Sequence, residues 1–66
     1  MKVTVNGREA DIAEGATILS MLEERGIKAD SVVVERNRDI VPSEFFGDVQ
    51  LQDGDHLEVL RFVGGG

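Results

Sequence analysis

The 66-residue chain contains no cysteine, tryptophan or tyrosine, and it has only one proline and three phenylalanines. Without cysteine it forms neither a disulfide framework nor a thiolate metal site, and it has no cysteine nucleophile. The lack of Trp and Tyr removes most of the usual platforms on which nucleic-acid bases stack. Domains below about 70–80 residues often depend on covalent or metal cross-links. A well-packed apolar core therefore has to stabilise this one.

Basic residues and long apolar runs are also scarce. Seven Lys and Arg residues stand against thirteen Asp and Glu residues, which gives a net charge of −6. Because phosphate backbones repel an acidic surface, we expect no nucleic-acid binding and we expect partners with a basic face. No segment approaches the roughly 18 apolar residues of a membrane span, and the N-terminal residues lack the apolar run of a secretory signal. The sequence predicts a cytoplasmic protein that does not bind membranes.

Local patterns predict a hairpin at the start of the chain. Residues 2–5 alternate between polar and apolar side chains, which is the two-residue period of a half-buried strand. Asn6 and Gly7 follow, and Asn-Gly is typical of a type I′ turn because both central residues of that turn need a positive φ. Residues 8–12 are therefore predicted to form the returning strand.

A short helix is predicted over residues 17–25, with an apolar stripe on one side and charged residues on the other. Thr17 is the predicted N-cap, because its hydroxyl can accept a hydrogen bond from a free N–H of the first turn. Gly26 is predicted to end the helix in a left-handed conformation. Ile27 would then pack back on Leu22, as in a Schellman motif.

The second half of the chain alternates extended segments with turns. Residues 32–34 are all valine and predict a buried strand, and residues 56–62 predict the last strand. Between them we expect, in chain order, a turn at 37–39, an extended pair at 40–41 ended by Pro42, a helical turn capped by Ser43 and closed by Gly47, an alternating segment at 49–52 and a tight turn at 53–55. One helix and about five strands predict an α+β fold, a mixed sheet with the helix packed across one face.

The side chains offer little for catalysis. His56 is the single histidine and follows a turn. We interpret it as a surface residue, because a metal site needs several converging ligands. No serine has a histidine partner that the sequence can place, and no glycine-rich run leads into Lys and a helix. A substrate pocket of about 300–1,000 Å³ is also hard to form in so small a domain. We therefore do not expect an enzyme that acts alone.

Three glycines end the chain, at Gly64, Gly65 and Gly66. One interpretation is a frayed terminus without function. The other is a flexible tail that a partner receives, since residues without a Cβ make the thinnest peptide that can enter a channel. Three residues reach about 10 Å and end in a carboxylate. On this pattern we divide the chain into a domain over residues 1–63 and a flexible tail over 64–66.

Five segments spread along the chain carry a resemblance to a known family. They are Val5-Asn6-Gly7, Gly15-Ala16-Thr17, Asp39-Ile40-Val41-Pro42-Ser43, Leu51-Gln52-Asp53-Gly54-Asp55 and Phe62-Val63-Gly64-Gly65-Gly66. Together they resemble the thiamine-biosynthesis sulfur carriers of the ThiS family, which have a ubiquitin-like β-grasp fold. The related small subunit of molybdopterin synthase shares that fold and the Gly-Gly end. It is usually longer, and Ile-Val-Pro is less typical of it.

The resemblance implies chemistry at the C-terminus. In the family, an E1-like adenylyltransferase uses ATP and magnesium to form an acyl-adenylate on the terminal glycine, which corresponds to Gly66 here. A sulfur donor protein then supplies the sulfur of a thiocarboxylate, which is delivered to thiazole synthase. Gly64 and Gly65 would enter the partner's channel. The resemblance implies no cofactor bound by the domain itself, and we expect a monomer when the chain is free.

Alternation along the last strand predicts a docking surface. Leu57 and Val59 share one parity and should face the helix, whereas Leu60 and Phe62 share the other and should emerge on the open face near the tail. We expect Leu60 and Phe62 to bind partners, with Arg61 adding a charged contact. The alternative for Phe62 is that it only covers the sheet.

Three classes of function stay open at this point. The chain is a sulfur carrier for thiazole, a sulfur carrier for another acceptor such as molybdopterin or an amino acid, or a ubiquitin-like modifier or β-grasp interaction domain with an idle tail. Fold alone does not choose among them.

Overall fold

A computed structural model describes residues 1–62, which form a five-stranded mixed sheet and one α-helix. The elements are β1 (Lys2–Val5), β2 (Arg8–Asp11), α1 (Ile18–Glu24), β3 (Val32–Arg36), β4 (Asp39–Val41) and β5 (His56–Arg61), with 3₁₀ turns at Ala29–Ser31 and Ser43–Phe45. The strand order is β2-β1-β5-β3-β4, and the β1–β5 pair is parallel while the other three pairs are antiparallel. This architecture confirms the predicted α+β, β-grasp fold.

The first hairpin has the predicted turn. Asn6 has a φ of 51° and Gly7 a φ of 82°, so both central residues are left-handed as a type I′ turn requires. The returning strand β2 ends at Asp11, one residue earlier than predicted. Ile12 leaves the strand and packs into the core.

The ends of α1 also follow the sequence. The Ser20 N–H donates to Thr17 Oγ1 at 3.1 Å, and the Thr17 N–H donates to Ser20 Oγ at 2.9 Å, which forms a reciprocal capping box. At the other end Gly26 has a φ of 72°, and the Ile27 N–H donates to the Leu22 carbonyl at 2.9 Å. This 6→1 hydrogen bond is the predicted Schellman ending.

The strands of the second half differ from the predicted bounds. β3 continues two residues beyond its valine run, to Arg36, because it pairs with β4 on one side and β5 on the other. Asp39, predicted in the turn, pairs with Arg36 as the first residue of β4. β5 ends at Arg61 rather than at 62, although the Phe62 N–H still donates to the Ser31 carbonyl at 3.0 Å.

One local prediction is wrong. The turn that begins at Ser43 has no side-chain cap, and its backbone hydrogen bonds close it without one. The alternating segment at 49–52 forms a single bridge, between Thr17 and Gln50, and is otherwise irregular.

The core lies between the sheet and α1. Ile18, Met21 and Leu22 of the helix meet side chains from the inner face of the sheet, among them Val3, Val5, Val32, Val34, Leu57 and Val59. Phe46 is also buried in this layer and is the largest side chain of the core. No helix within residues 1–62 is long and apolar enough to cross a membrane.

The predicted domain end at residue 63 and the predicted flexible tail over 64–66 lie outside the described residues.

Candidate functional site

The central strand β5 leads toward the C-terminus and has two different faces. Leu57 and Val59 are buried against the helix layer. Leu60 and Phe62 lie on the opposite face, where 51% and 62% of their surfaces are exposed. The alternation predicted for this strand is therefore confirmed. That Leu60 and Phe62 bind partners stays a prediction.

Neighbouring strands add to this exposed surface. Val33 lies directly across from Leu60 in the β3–β5 pair, and Ile40 of the edge strand β4 is 67% exposed. Ile40 pairs with Glu35, which has the same parity as Val33, so all of them lie on the open side of the sheet. We refer to Val33, Ile40, Leu60 and Phe62 as the open-face patch. The sequence did not identify Val33 or Ile40, because only the pairing register places Val33 across from Leu60 and Ile40 on the same side of the sheet.

Arg61 does not share this face. Strand alternation directs its side chain to the same side as Leu57 and Val59, although at the strand's end it is exposed. It can contact a partner only around the end of the sheet. Its predicted binding role stays a prediction.

A shallow concavity of about 350 Å³ lies on the open side toward the start of β5. It is lined by Glu35, Asn37, Arg38, His56 and Glu58. Glu35 and Glu58 are directly opposite each other in the β3–β5 pair. His56 is exposed, as predicted. Within residues 1–62, no group of three or more His, Cys, Asp and Glu side chains is arranged to hold a metal ion.

Asn6 fixes β5 from the β1 side. The Val59 N–H donates to Asn6 Oδ1 at 2.7 Å, and Asn6 Nδ2 donates to the Val59 carbonyl at 3.2 Å. The Asn6 backbone N–H donates to the Leu57 carbonyl at 2.9 Å. The Asn6 side-chain amide therefore makes the two hydrogen bonds to Val59 that a backbone residue would make if β1 continued. Sequence reasoning assigned Asn6 only a turn.

Asp55 fixes the start of the same strand. Its buried carboxylate accepts hydrogen bonds from Arg36 Nε at 2.9 Å, Asn37 Nδ2 at 3.1 Å and the Gln52 N–H at 2.8 Å. Burial raises the pKa of Asp55, but these hydrogen bonds and the charge of Arg36 outweigh it and hold the pKa below its usual range. The predicted turn at 53–55 is present, but its tie to the end of β3 depends on tertiary structure.

β5 is thus held at its start by Asp55, on one side by Asn6 and on the other by β3. The predicted reacting group, the carboxylate of Gly66, and the predicted channel residues Gly64 and Gly65 lie outside the described residues. Within residues 1–62, the candidate site consists of the end of β5 and the apolar open-face patch.

Comparisons with known proteins identify relatives over the whole chain. The sequence model of the ThiS family matches residues 3–66. The thiazole synthase of Paramagnetospirillum magneticum is 41% identical over 66 residues, which are 100% of this chain and 20% of that protein. The sulfur carrier protein ThiS of Bacillus subtilis is 40% identical over 50 residues, 76% of each chain.

A solved structure is similar over the full length. The crystal structure of the thiamine biosynthesis protein ThiS from Geobacter metallireducens matches with a TM-score of 0.86 and 35% identity, and the match covers 100% of both chains. By contrast, this chain spans only a fifth of the length of the Paramagnetospirillum thiazole synthase.

Proposed function

The chain belongs to the ThiS family, and on that premise we propose that it carries sulfur for thiamine biosynthesis as a C-terminal thiocarboxylate. The observation that carries this proposal is the family match over residues 3–66, which includes the three terminal glycines. The similarity to the Bacillus sulfur carrier and to the Geobacter structure supports it.

In the proposed chemistry, the reacting group is the terminal carboxylate of Gly66. One carboxylate oxygen attacks the α-phosphorus of ATP held with magnesium by an E1-like adenylyltransferase, and pyrophosphate leaves. Sulfide-level sulfur released by a sulfur donor protein then attacks the acyl carbon, the carbon–sulfur bond forms as AMP leaves, and Gly66 ends in a thiocarboxylate. The carrier acts as a co-substrate, binds no cofactor of its own and needs no catalytic side chain.

Thiazole synthase is the proposed acceptor of the sulfur. The Paramagnetospirillum thiazole synthase contains a segment similar to this entire chain, which supports a functional connection between the two kinds of protein. The adenylyltransferase and the sulfur donor are further proposed partners. We place the free carrier in the cytoplasm, where ATP is available for its activation, as a monomer.

The open-face patch is the proposed docking surface for these partners. Leu60 and Phe62 are exposed, and they lie four and two residues before Gly64, where the tail begins. Partners that bind one after another need modest interfaces, and a small apolar patch beside the tail would position the terminus in each of them.

Deletion of Gly66 tests the carrier function. The shortened tail would place its carboxylate about 3.5 Å short of the reacting phosphate, and a misplacement of about 1 Å can cost about 100-fold in rate. We expect the deletion to abolish thiocarboxylate formation without affecting the fold. Gly65→Val should have the same effect by adding bulk in the channel.

The assay combines each variant with the adenylyltransferase, ATP, magnesium and the sulfur donor, followed by intact mass spectrometry. Wild type should gain the mass difference between one sulfur and one oxygen, located at Gly66. Equal thiolation of the deletion variant, or sulfur on another residue, contradicts the proposal. Thiazole formation after addition of thiazole synthase distinguishes this acceptor from molybdopterin or an amino-acid precursor.

The docking role of the patch is tested by Leu60→Asp and Phe62→Asp. Each places a charge on an apolar contact surface, while the exposed position tolerates it in the free chain. We expect at least about tenfold weaker partner binding with little change in melting temperature. Phe45→Asp is the matched control, since Phe45 is an exposed phenylalanine on the Ser43–Phe45 turn. Unfolding of either patch variant, or equal loss of binding in the control, would refute the assignment.

A further inference from the structure

The central strand β5 extends beyond its neighbour β1. The last residue of β1, Val5, pairs with Leu57. The chain then turns away from β5 at Asn6 and Gly7. The Asn6 side chain forms hydrogen bonds with both the N–H and the C=O of Val59. The next residue of β5 whose backbone N–H and C=O face the β1 side, as those of Val59 do, is Arg61. The sheet therefore has a notch beside Arg61, at the base of the tail.

The backbone of Arg61 faces this notch. Antiparallel strands alternate between residues that exchange hydrogen bonds with the partner strand and residues whose N–H and C=O point away from it. The Phe62 N–H donates to the carbonyl of Ser31, the residue before β3. The backbone N–H and C=O of Phe62 and of Leu60 therefore point toward β3. Arg61 lies between them in the chain, so its backbone N–H and C=O point toward the β1 side. Within residues 1–62, no other group forms a hydrogen bond with its N–H or C=O on that side.

This edge is already in strand geometry. Arg61 belongs to β5 and is opposite Val32 in the register, and the bonds of its two neighbours to β3 hold it extended. An incoming peptide would find a donor and an acceptor in place and would not have to order the strand first. Strand addition to an exposed edge is an established mode of peptide recognition, in which main-chain bonds give affinity and alternate side chains give specificity.

We propose that a short extended segment of thiazole synthase pairs with the backbone of Arg61 and fills the notch in line with β1. This inference rests on the proposed function, in which thiazole synthase accepts the sulfur from the thiocarboxylate at the end of the tail. The Asn6–Gly7 turn closes the end of the notch nearest Val59, so the segment pairs with Arg61 beyond that turn. Leu60 and Phe62 flank the notch on the open face, so the segment presents an apolar side chain there. Backbone pairing at this point would keep the exit direction of the tail fixed.

Amide hydrogen exchange of the ¹⁵N-labelled chain tests the pairing directly. In the free chain, the Arg61 amide should exchange at least about 100-fold faster than the Phe62 amide, which has a partner in the sheet. In the complex with the thiazole synthase of the same organism, the Arg61 amide should slow by at least about tenfold. An Arg61 amide that is protected in the free chain, or unprotected in the complex, overturns the inference.

Two substitutions separate backbone from side chain. Arg61→Ala removes the guanidinium and keeps the N–H, whereas Arg61→Pro removes the N–H as well, and proline is tolerated in a strand where the N–H faces away from the ladder. We expect Arg61→Pro to bind thiazole synthase at least about fivefold more weakly than Arg61→Ala. Phe62→Pro is the control, because it removes the hydrogen bond from the Phe62 N–H to the Ser31 carbonyl. It should lower the melting temperature, whereas Arg61→Pro should leave the melting temperature unchanged.

Equal affinity of the Ala and Pro variants overturns the inference. A melting temperature of Arg61→Pro as low as that of Phe62→Pro also does so, because the N–H then has an internal partner. Thiocarboxylate formation by the adenylyltransferase is measured on the same samples. If wild type is thiolated and feeds thiazole synthase while Arg61 stays unpaired, the proposed function stands and only the pairing is refuted.

Discussion

Asn6 and Asp55 hold the central strand β5 at two points that are far apart in sequence from their partners. Asn6 bonds both the N–H and the C=O of Val59, 53 residues away. The Asp55 carboxylate accepts hydrogen bonds from Arg36, the last residue of β3, and from Asn37, which follows it. Buried polar groups that lose a partner cost about 1–3 kcal/mol, so these two residues stabilise the strand that carries the proposed tail.

Asp55 predicts a specific loss of stability in acid. Its pKa is lowered in the folded chain, while an unfolded Asp has a pKa near about 3.9. The unfolded state therefore binds the proton first as the pH falls, and folding loses free energy. The stability that the ionised Asp55 contributes is fully present above the pKa of the unfolded state. It disappears as the pH falls through the lower pKa of the folded state. We expect the free energy of unfolding, measured with urea from pH 7 to pH 3, to drop in this acid range.

Two variants isolate the carboxylate responsible. Asp55→Asn cannot titrate, so its acid-dependent loss should be smaller than that of wild type, although it is less stable at neutral pH. Asp48→Asn is the matched control, because Asp48 is an exposed aspartate after the Ser43–Phe45 turn. If the two variants show the same dependence on pH, Asp55 is not the group that links protonation to folding.

At the scale of elements, the two hairpins use the same turn with different residues. Asn6 and Gly7 connect β1 and β2, and Asn37 and Arg38 connect β3 and β4, with φ values of 51° and 76° for the second pair. Asn tolerates the left-handed region, but a side chain with a long stem such as Arg does so at a cost of about 1–2 kcal/mol. The second turn is therefore strained at Arg38.

Arg38→Gly should relieve this strain. We expect the glycine variant to be about 1 kcal/mol more stable than wild type in urea unfolding, because glycine adopts a positive φ without a Cβ clash. Arg38→Ala is the control, since it removes the side chain beyond Cβ but keeps the clash, and it should give no such gain. A stability equal for the two variants would show that the side chain, not the backbone, sets the cost.

The sequence predicted those elements whose signals are local. The Asn-Gly turn, the Thr17 cap and the Gly26 ending each depend on residues within a few positions. Apart from the absent Ser43 cap, the differences concern features set by distant contacts. β3 is extended by pairing on both sides. The segment 49–52 has strand-like alternation, yet it meets only Thr17 at one bridge and so remains irregular.

The same distinction applies to the site. Alternation within β5 placed Leu60 and Phe62 correctly, because a two-residue period is a local property. It did not reveal that Val33 lies across from Leu60 and Ile40 on the same side of the sheet, and it did not reveal the Asn6 bonds to Val59 or the notch at Arg61. Each of these depends on the register between strands, which hydrophobic pattern and turn geometry set together over the whole sheet.

At the scale of the whole molecule, the net charge of −6 affects association more than folding. Acidic residues lie on both sides of the domain. Glu58 lies on the open side, two residues before Leu60, whereas Glu24 is the last residue of α1 on the opposite side of the sheet. The domain is 22 Å across in its two shorter dimensions, and the Debye length at 0.1 M salt is about 10 Å. A partner at the open-face patch therefore senses the charge of Glu58 and is screened from that of Glu24.

This difference predicts the direction from which a basic partner approaches. Glu58→Gln and Glu24→Gln remove the same charge from exposed positions, so each serves as the control of the other. We expect Glu58→Gln to slow association with the adenylyltransferase about twofold at low salt and Glu24→Gln to have little effect, with both differences vanishing at high salt. Glu58 lies opposite Glu35, and like charges across a strand pair repel, so Glu58→Gln should not lower the melting temperature. Stopped-flow association rates at two ionic strengths measure the effect. Equal slowing by both variants would mean that the partner senses only the total charge, and that the open face is not its docking side.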